Sequence, residues 1–239
     1  MKNQTLVKNS KVPFLLLPSR LLLFLVFQLG IAAILNSFEE SVKYWILIAT
    51  MTNITSILFL YLLLKKEQIR FFTIFSFSKH HWKKDLLIFL ALTLLCGPLV
   101  FLPNMLLSNY FWGDMAIPTN MLFQTLPMGL VTILLILFPI TIALAELYTY
   151  FGYIMPRIAN SLKRKWIAIL LPVIFLSIQH CTLPLILDPK FILYRALMFL
   201  PFALLIGISI YKRPRLFPYF AIMHGIMDFF TVVMYFQIK

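Results

Sequence analysis

Charge is what this sequence has least of. Only 12% of its 239 residues are Asp, Glu, Lys or Arg, while 62% are hydrophobic. A soluble domain carries about 25% charged and roughly 45–50% apolar residues. The deficit excludes an ordinary soluble protein and leaves a polytopic membrane protein. No stretch is polar enough to form an extramembrane domain. Acidic residues are scarcer still, with 8 Asp and Glu against 21 Lys and Arg, for a net charge of +13. That excess does not point to nucleic acid. The basic residues sit between apolar runs, where the positive-inside rule puts them. Cysteine is also sparse. Cys96 and Cys181 lie far apart in apolar segments, so no disulfide framework is implied and both read as free buried thiols. No small-residue cleavage site follows a short early apolar core, so the first apolar run reads as a retained span and not as a signal peptide.

What is there is a succession of long apolar runs. A spanning helix needs about 20 mainly apolar residues. Seven segments qualify, near Leu21–Leu35, Tyr44–Leu64, Leu86–Leu107, Gly129–Met155, Trp166–Leu187, Ala196–Tyr211 and Leu216–Phe236. The expected fold is an all-α transmembrane bundle forming one integral-membrane domain. The first and sixth runs are short, and Val12–Pro18 can add an interfacial turn before the first. A short helix near Pro118–Met128 would raise the count to eight. Pro139, Pro172 and Pro201 fall mid-span and predict kinks. The connection Lys65–Lys84 mixes Phe71, Phe72, Phe75, Phe77 and Trp82 with Lys and Arg, as an amphipathic segment on an anionic leaflet does. His80 and His81 in it read as solvated.

The same seven spans sort the charges. With the N-terminus in the cytoplasm and the C-terminus outside, every Lys and Arg falls on the inner side except Lys43, Lys190, Arg195 and Lys239. On this count Arg20 is a cytoplasmic flank of the first span. Glu39, Glu40, Asp114 and Asp188 fall outside.

Against this background a few polar residues stand out within spans. Glu146 is the only Glu inside a hydrophobic run, and a carboxylate at bilayer depth costs at least a few kcal/mol unless paired or neutralised. The fifth run holds His180. The seventh holds His224 and Asp228, which share a helix face at i and i+4. Counted by helix rise from the basic ends, Glu146 lies roughly 16 Å deep, His180 roughly 21 Å, His224 roughly 12 Å and Asp228 roughly 18 Å. All four therefore fall in one mid-membrane layer, where each needs a partner. Tyr150 and Tyr153 lie within two turns of Glu146 and can donate hydrogen bonds to it. Gln179 points about 100° from His180 and reads as interhelical glue.

Several chemistries fit this set. A Glu and a His around one water can generate a nucleophile for a carbonyl carbon, with a second His facing the developing oxyanion. Glu146, His180, His224 and Asp228 are also legitimate zinc ligands, although no His-Glu-x-x-His motif supports a metal. A proton or ion pathway uses the same residue types, and purely structural glue between helices is the remaining reading. No inverted repeat favours a transporter.

The order of these spans resembles the CPBP family of intramembrane proteases, which includes the CAAX prenyl endopeptidases and the Abi bacteriocin-processing and immunity proteins. The family's first motif, Glu-Glu-x-x-x-Arg-Gly followed by an apolar-Pro-Arg ending, aligns without gaps from Glu146 to Arg157 when its Gly is placed on Gly152. The second, Phe-x-x-x-His, falls on Leu176 to His180. The third, His-x-x-x-Asn or Asp, falls on His224 to Asp228. The resemblance covers roughly Gly129 to Phe236. It implies a catalytic core over 129–239, preceded by three spans and a basic loop over 1–128. It further implies a multi-pass protein of a bacterial cell membrane acting on a membrane-associated, prenylated or leader peptide substrate without a cofactor. Glu146 and His180 would activate water, with His224 and Asp228 on the oxyanion side. The second Glu of the motif is Leu147 here and its Arg is Phe151. An alternative register sets Ala145 on the first Glu, Glu146 on the second and Tyr150 on the Arg, and would mean an inactive enzyme. An inactive relative would bind a membrane partner, acting in bacteriocin immunity or regulation.

Overall fold

In a computed structural model, which describes residues 11–237, the chain is helical and contains no strand among those residues. Seven helical segments are long and apolar enough to cross a membrane. They are Val12–Leu35, Trp45–Lys66, Trp82–Trp112, Met128–Ser161, Lys165–Thr182, Pro189–Lys212 and Pro214–Gln237, here the first to seventh spans. The protein is an all-α, multi-pass membrane bundle. Lys2, Lys8 and Lys239, which entered the charge sorting, lie outside the described residues.

The first and sixth spans are longer than the sequence suggested, and for one shared reason. Each expected start was set just after an arginine, on the premise that a charge ends a span. Arg20 and Arg195 are both buried inside the bundle instead. The first span runs back through the short helix Val12–Leu16, and the sixth through the helix Pro189–Met198. Pro201 sits in the first turn of the helix Leu200–Lys212, so it separates two helices within the sixth span. Pro139 and Pro172 lie inside continuous helices. The extra helix sought near 118–128 is Ala116–Leu122, only 7 residues long, and the span count stays at seven.

The fourth span is the axis of the bundle, packing chiefly against the seventh and the second. The backbones approach closely because small residues line the contact. A Cβ on Gly225 would come within 2.9 Å of the Pro139 carbonyl oxygen and 3.1 Å of Ala143 Cβ. Gly207 is equally confined, by Val173 Cγ2 at 2.8 Å and the Phe151 ring at 3.0 Å. Outward faces carry large apolar side chains such as Ile34, Leu94 and Leu106, as a lipid environment requires.

The connection between the second and third spans only partly behaves as a surface segment. Phe71–Phe75 forms a 3-10 turn, with Phe71 buried against Tyr148 and Phe75 packed on Tyr148 and Phe217. Phe72, Phe77, Trp82, His80 and His81 remain exposed. Two of the five expected lipid-facing aromatics, Phe71 and Phe75, thus serve as a plug on the fourth and seventh spans.

Candidate active site

Glu146 lies in the fourth span and is 2% exposed. Both its oxygens are occupied. Oε2 accepts from Gln179 Nε2 at 2.7 Å and from Arg20 Nη2 at 3.4 Å, and Oε1 lies 3.2 Å from His224 Nε2. Four spans therefore converge on one carboxylate. An unpaired carboxylate would be untenable here, and the arginine supplies the compensating charge.

Arg20 is fully buried and spends its guanidinium on the same cluster. Nε donates to Gln179 Oε1 at 3.0 Å, Nη1 to Ser56 Oγ at 3.2 Å and Nη2 to Asn53 Oδ1 at 2.9 Å. Asn53 in turn donates to Thr141 Oγ1 of the fourth span at 3.3 Å. Tyr150 donates to Gln179 Oε1 at 3.1 Å, so Gln179 takes two donors on its oxygen and gives one to Glu146. The expected contact of Tyr150 with Glu146 is thus made through Gln179. Tyr153 is placed elsewhere. It donates to Glu67 Oε1 at 2.8 Å, beside Arg157, which forms an ion pair with Glu67 at the end of the second span. Tyr153 therefore anchors the basic end of the fourth span and does not support Glu146.

His224 Nε2 stands between two carboxylates, 3.2 Å from Glu146 Oε1 and 3.1 Å from Asp228 Oδ2. The i to i+4 spacing on the seventh span produces the second contact directly. Its Nδ1 is buried and has no hydrogen-bond partner among the described residues. Arg20 balances one carboxylate. The side chains of His224 and Asp228 are 14% and 20% exposed, the most open members of the group.

His180 is one residue from the centre and turned from it. Its Nδ1 donates to the Leu176 carbonyl at 2.9 Å, and its ring lies against Phe199 with centroids 4.1 Å apart. A carbonyl can only accept, so Nδ1 carries the proton and Nε2 keeps its lone pair. Gln179 is interhelical glue as expected, joining the first, fourth and fifth spans, and it does so at Glu146 itself. No direct bond joins His180 to Glu146. The spacing was sound, since adjacent residues do point apart, but it could not say which of the two faced the centre. The 3-10 turn Gln179–Thr182 begins at this point and sets that choice. Arg195 holds the turn by donating to the carbonyls of His180 at 3.3 Å and Leu183 at 2.8 Å.

The backbone changes winding directly after Glu146. Tyr148–Ile154 is π-helical, and the N–H of Met155 donates to the Tyr150 carbonyl, five residues back. Such wide turns recur at functional sites. Gly152 is required within it. A Cβ there would lie 2.4 Å from Tyr148 Cδ2 and 2.7 Å from Ile74 Cδ1. Leu147 and Phe151, at the two departures from the motif, are buried among apolar neighbours.

Among the described residues, no group of three or more His, Cys, Asp or Glu side chains is arranged to hold a metal ion. Of Glu146, His180, His224 and Asp228, the structure brings together Glu146, His224 and Asp228, while His180 is turned aside and Arg20 is bound to Glu146. Residues missed in the sequence are Arg20, Asn53, Ser56 and Thr141. The signal for Arg20 was present, because it has apolar runs on both sides, Val12–Leu17 and Leu21–Phe27. Compared with family models, curated proteins and solved structures, the chain matches none.

Proposed function

We propose that the protein is an intramembrane endopeptidase of the CPBP type, in which Glu146 is the general base. One observation carries the reading. Glu146, His224 and Asp228, from two spans, meet inside the bundle with the buried Arg20 paired to Glu146. Arg20 and Gln179 bond to the carboxylate and fix its position, and a positioned base needs that. His180, with its Nδ1 on the Leu176 carbonyl, makes no direct bond to Glu146, so the base role rests on Glu146 itself. Water gives its proton to Glu146 while its oxygen attacks a peptide carbonyl carbon; when the tetrahedral intermediate collapses, the C–N bond breaks and Glu146 returns that proton to the departing amine nitrogen. His224, bearing a proton and oriented by Asp228, donates to the oxyanion that develops. Arg20 also supplies, from the first span, a cation that the motif would otherwise carry at Phe151.

The positive-inside bias of the basic connections supports a cytoplasmic position for their end of the bundle. Removing Arg20 and Arg195 from the charge sorting strengthens the bias. The described connections and flanks at the other end then retain only Lys43 and Lys190.

A second reading is a family member without activity that serves in immunity or membrane regulation. The occupation of both Glu146 oxygens by side chains favours it, together with apolar Leu147 and Phe151. The two are separated by function in cells carrying wild type, Glu146→Gln or His224→Ala at equal protein levels. The peptidase reading expects both variants to abolish function, whereas full function in both supports the second.

A further inference from the structure

A feature that the mechanism leaves unused is a shallow cleft at the basic end, about 350 Å³ in volume, lined by Phe77, Ser78, Lys79, Trp82 and Tyr219. It is a built feature. Phe77 meets Tyr219 edge-on at 4.9 Å, and Tyr219 donates to the Trp82 carbonyl at 3.2 Å. Its rim is cationic. Lys79 lines it, Lys83 Nζ sits 5.7 Å over the Trp82 ring, and Lys84 follows, all three exposed. The nearest carboxylate, Asp85, is buried and paired with Arg215 Nε at 3.2 Å, so it does not cancel that field.

We infer that this cleft binds one anionic phospholipid of the leaflet at the basic end. The argument is charge and shape together. Trp and Tyr favour the level of the headgroups, where aromatic walls take the glycerol and the first methylenes of a chain. The phosphate then lies at the Lys79 ammonium and the Ser78 hydroxyl, with Lys83 beside it. A zwitterionic lipid offers the same chain but brings a cation to a cationic rim. The inference is independent of whether Glu146 is catalytic.

The test is native mass spectrometry of the full chain in detergent, titrated with phosphatidylglycerol or phosphatidylcholine. Wild type is expected to retain phosphatidylglycerol on the order of tenfold better. Lys79→Gln/Lys83→Gln should lose that preference. Lys163→Gln/Lys165→Gln, in a different basic connection, should keep it. All these lysines are exposed, and size-exclusion elution checks that the variants fold. Phe77→Ala should weaken retention without touching a charge. Equal retention of the two lipids by wild type would overturn the inference. So would equal loss in both lysine pairs, which indicates only a general surface field, or displacement by millimolar inorganic phosphate, which indicates a free-anion site.

Discussion

At the scale of single residues, Arg20 is the finding with the largest energetic consequence. It is fully buried, bonded to three polar side chains and paired with Glu146. Removing one partner of a buried pair strands the other, at a cost of about 3–5 kcal/mol. Arg20→Met should therefore destabilise the protein by that amount in denaturant unfolding from detergent micelles. Arg20→Met/Glu146→Gln should recover part of the loss, because no bare charge remains. Additive losses would show that the two side chains are not coupled. Glu146, His224 and Asp228 were legible in the sequence, since ionisable residues inside apolar runs are conspicuous. Arg20 was hidden by the premise that a charge near the start of a run marks its boundary. Gln179 was legible as interhelical glue, but its partners come from the first and fourth spans, which no local pattern reveals.

At the scale of elements, the winding after Glu146 decides how the fourth span meets its neighbours. The π-helical stretch Tyr148–Ile154 turns Tyr150 towards Gln179 and Tyr153 towards Glu67. An α-helical wheel of the sequence grouped both tyrosines with Glu146, and the change of winding separated them. Gly152 makes the stretch possible. Gly152→Ala forces its Cβ onto Tyr148 and Ile74, and overpacking of this kind costs about 1–3 kcal/mol. Gly30→Ala has open space around it and should be neutral or slightly stabilising. Thermal unfolding of the pair checks this, and equal behaviour of the two variants would contradict the steric account.

At the scale of the whole molecule, hydropathy predicted the architecture well. Seven apolar runs became seven spans because lipid leaves a single chain few alternatives to helices. The ends of two spans were misplaced for the reason given by Arg20 and Arg195. The charge bias predicts topology. In a background lacking Cys96 and Cys181, a cysteine at Ser76 should react with an impermeant maleimide only after cells are opened. A cysteine at Asn36 should react in intact cells. The reverse pattern would invert the orientation proposed above.

The central claim is that the Glu146 cluster cuts peptide bonds, and it can be tested without knowing the substrate. Membranes from cells expressing wild type or Glu146→Gln at equal levels can be compared for newly formed peptide N-termini by mass spectrometry. Loss of a general base lowers rate by about 10²–10⁴-fold. The account predicts a set of termini present with wild type and absent with Glu146→Gln. Identical sets of termini from the two would contradict it.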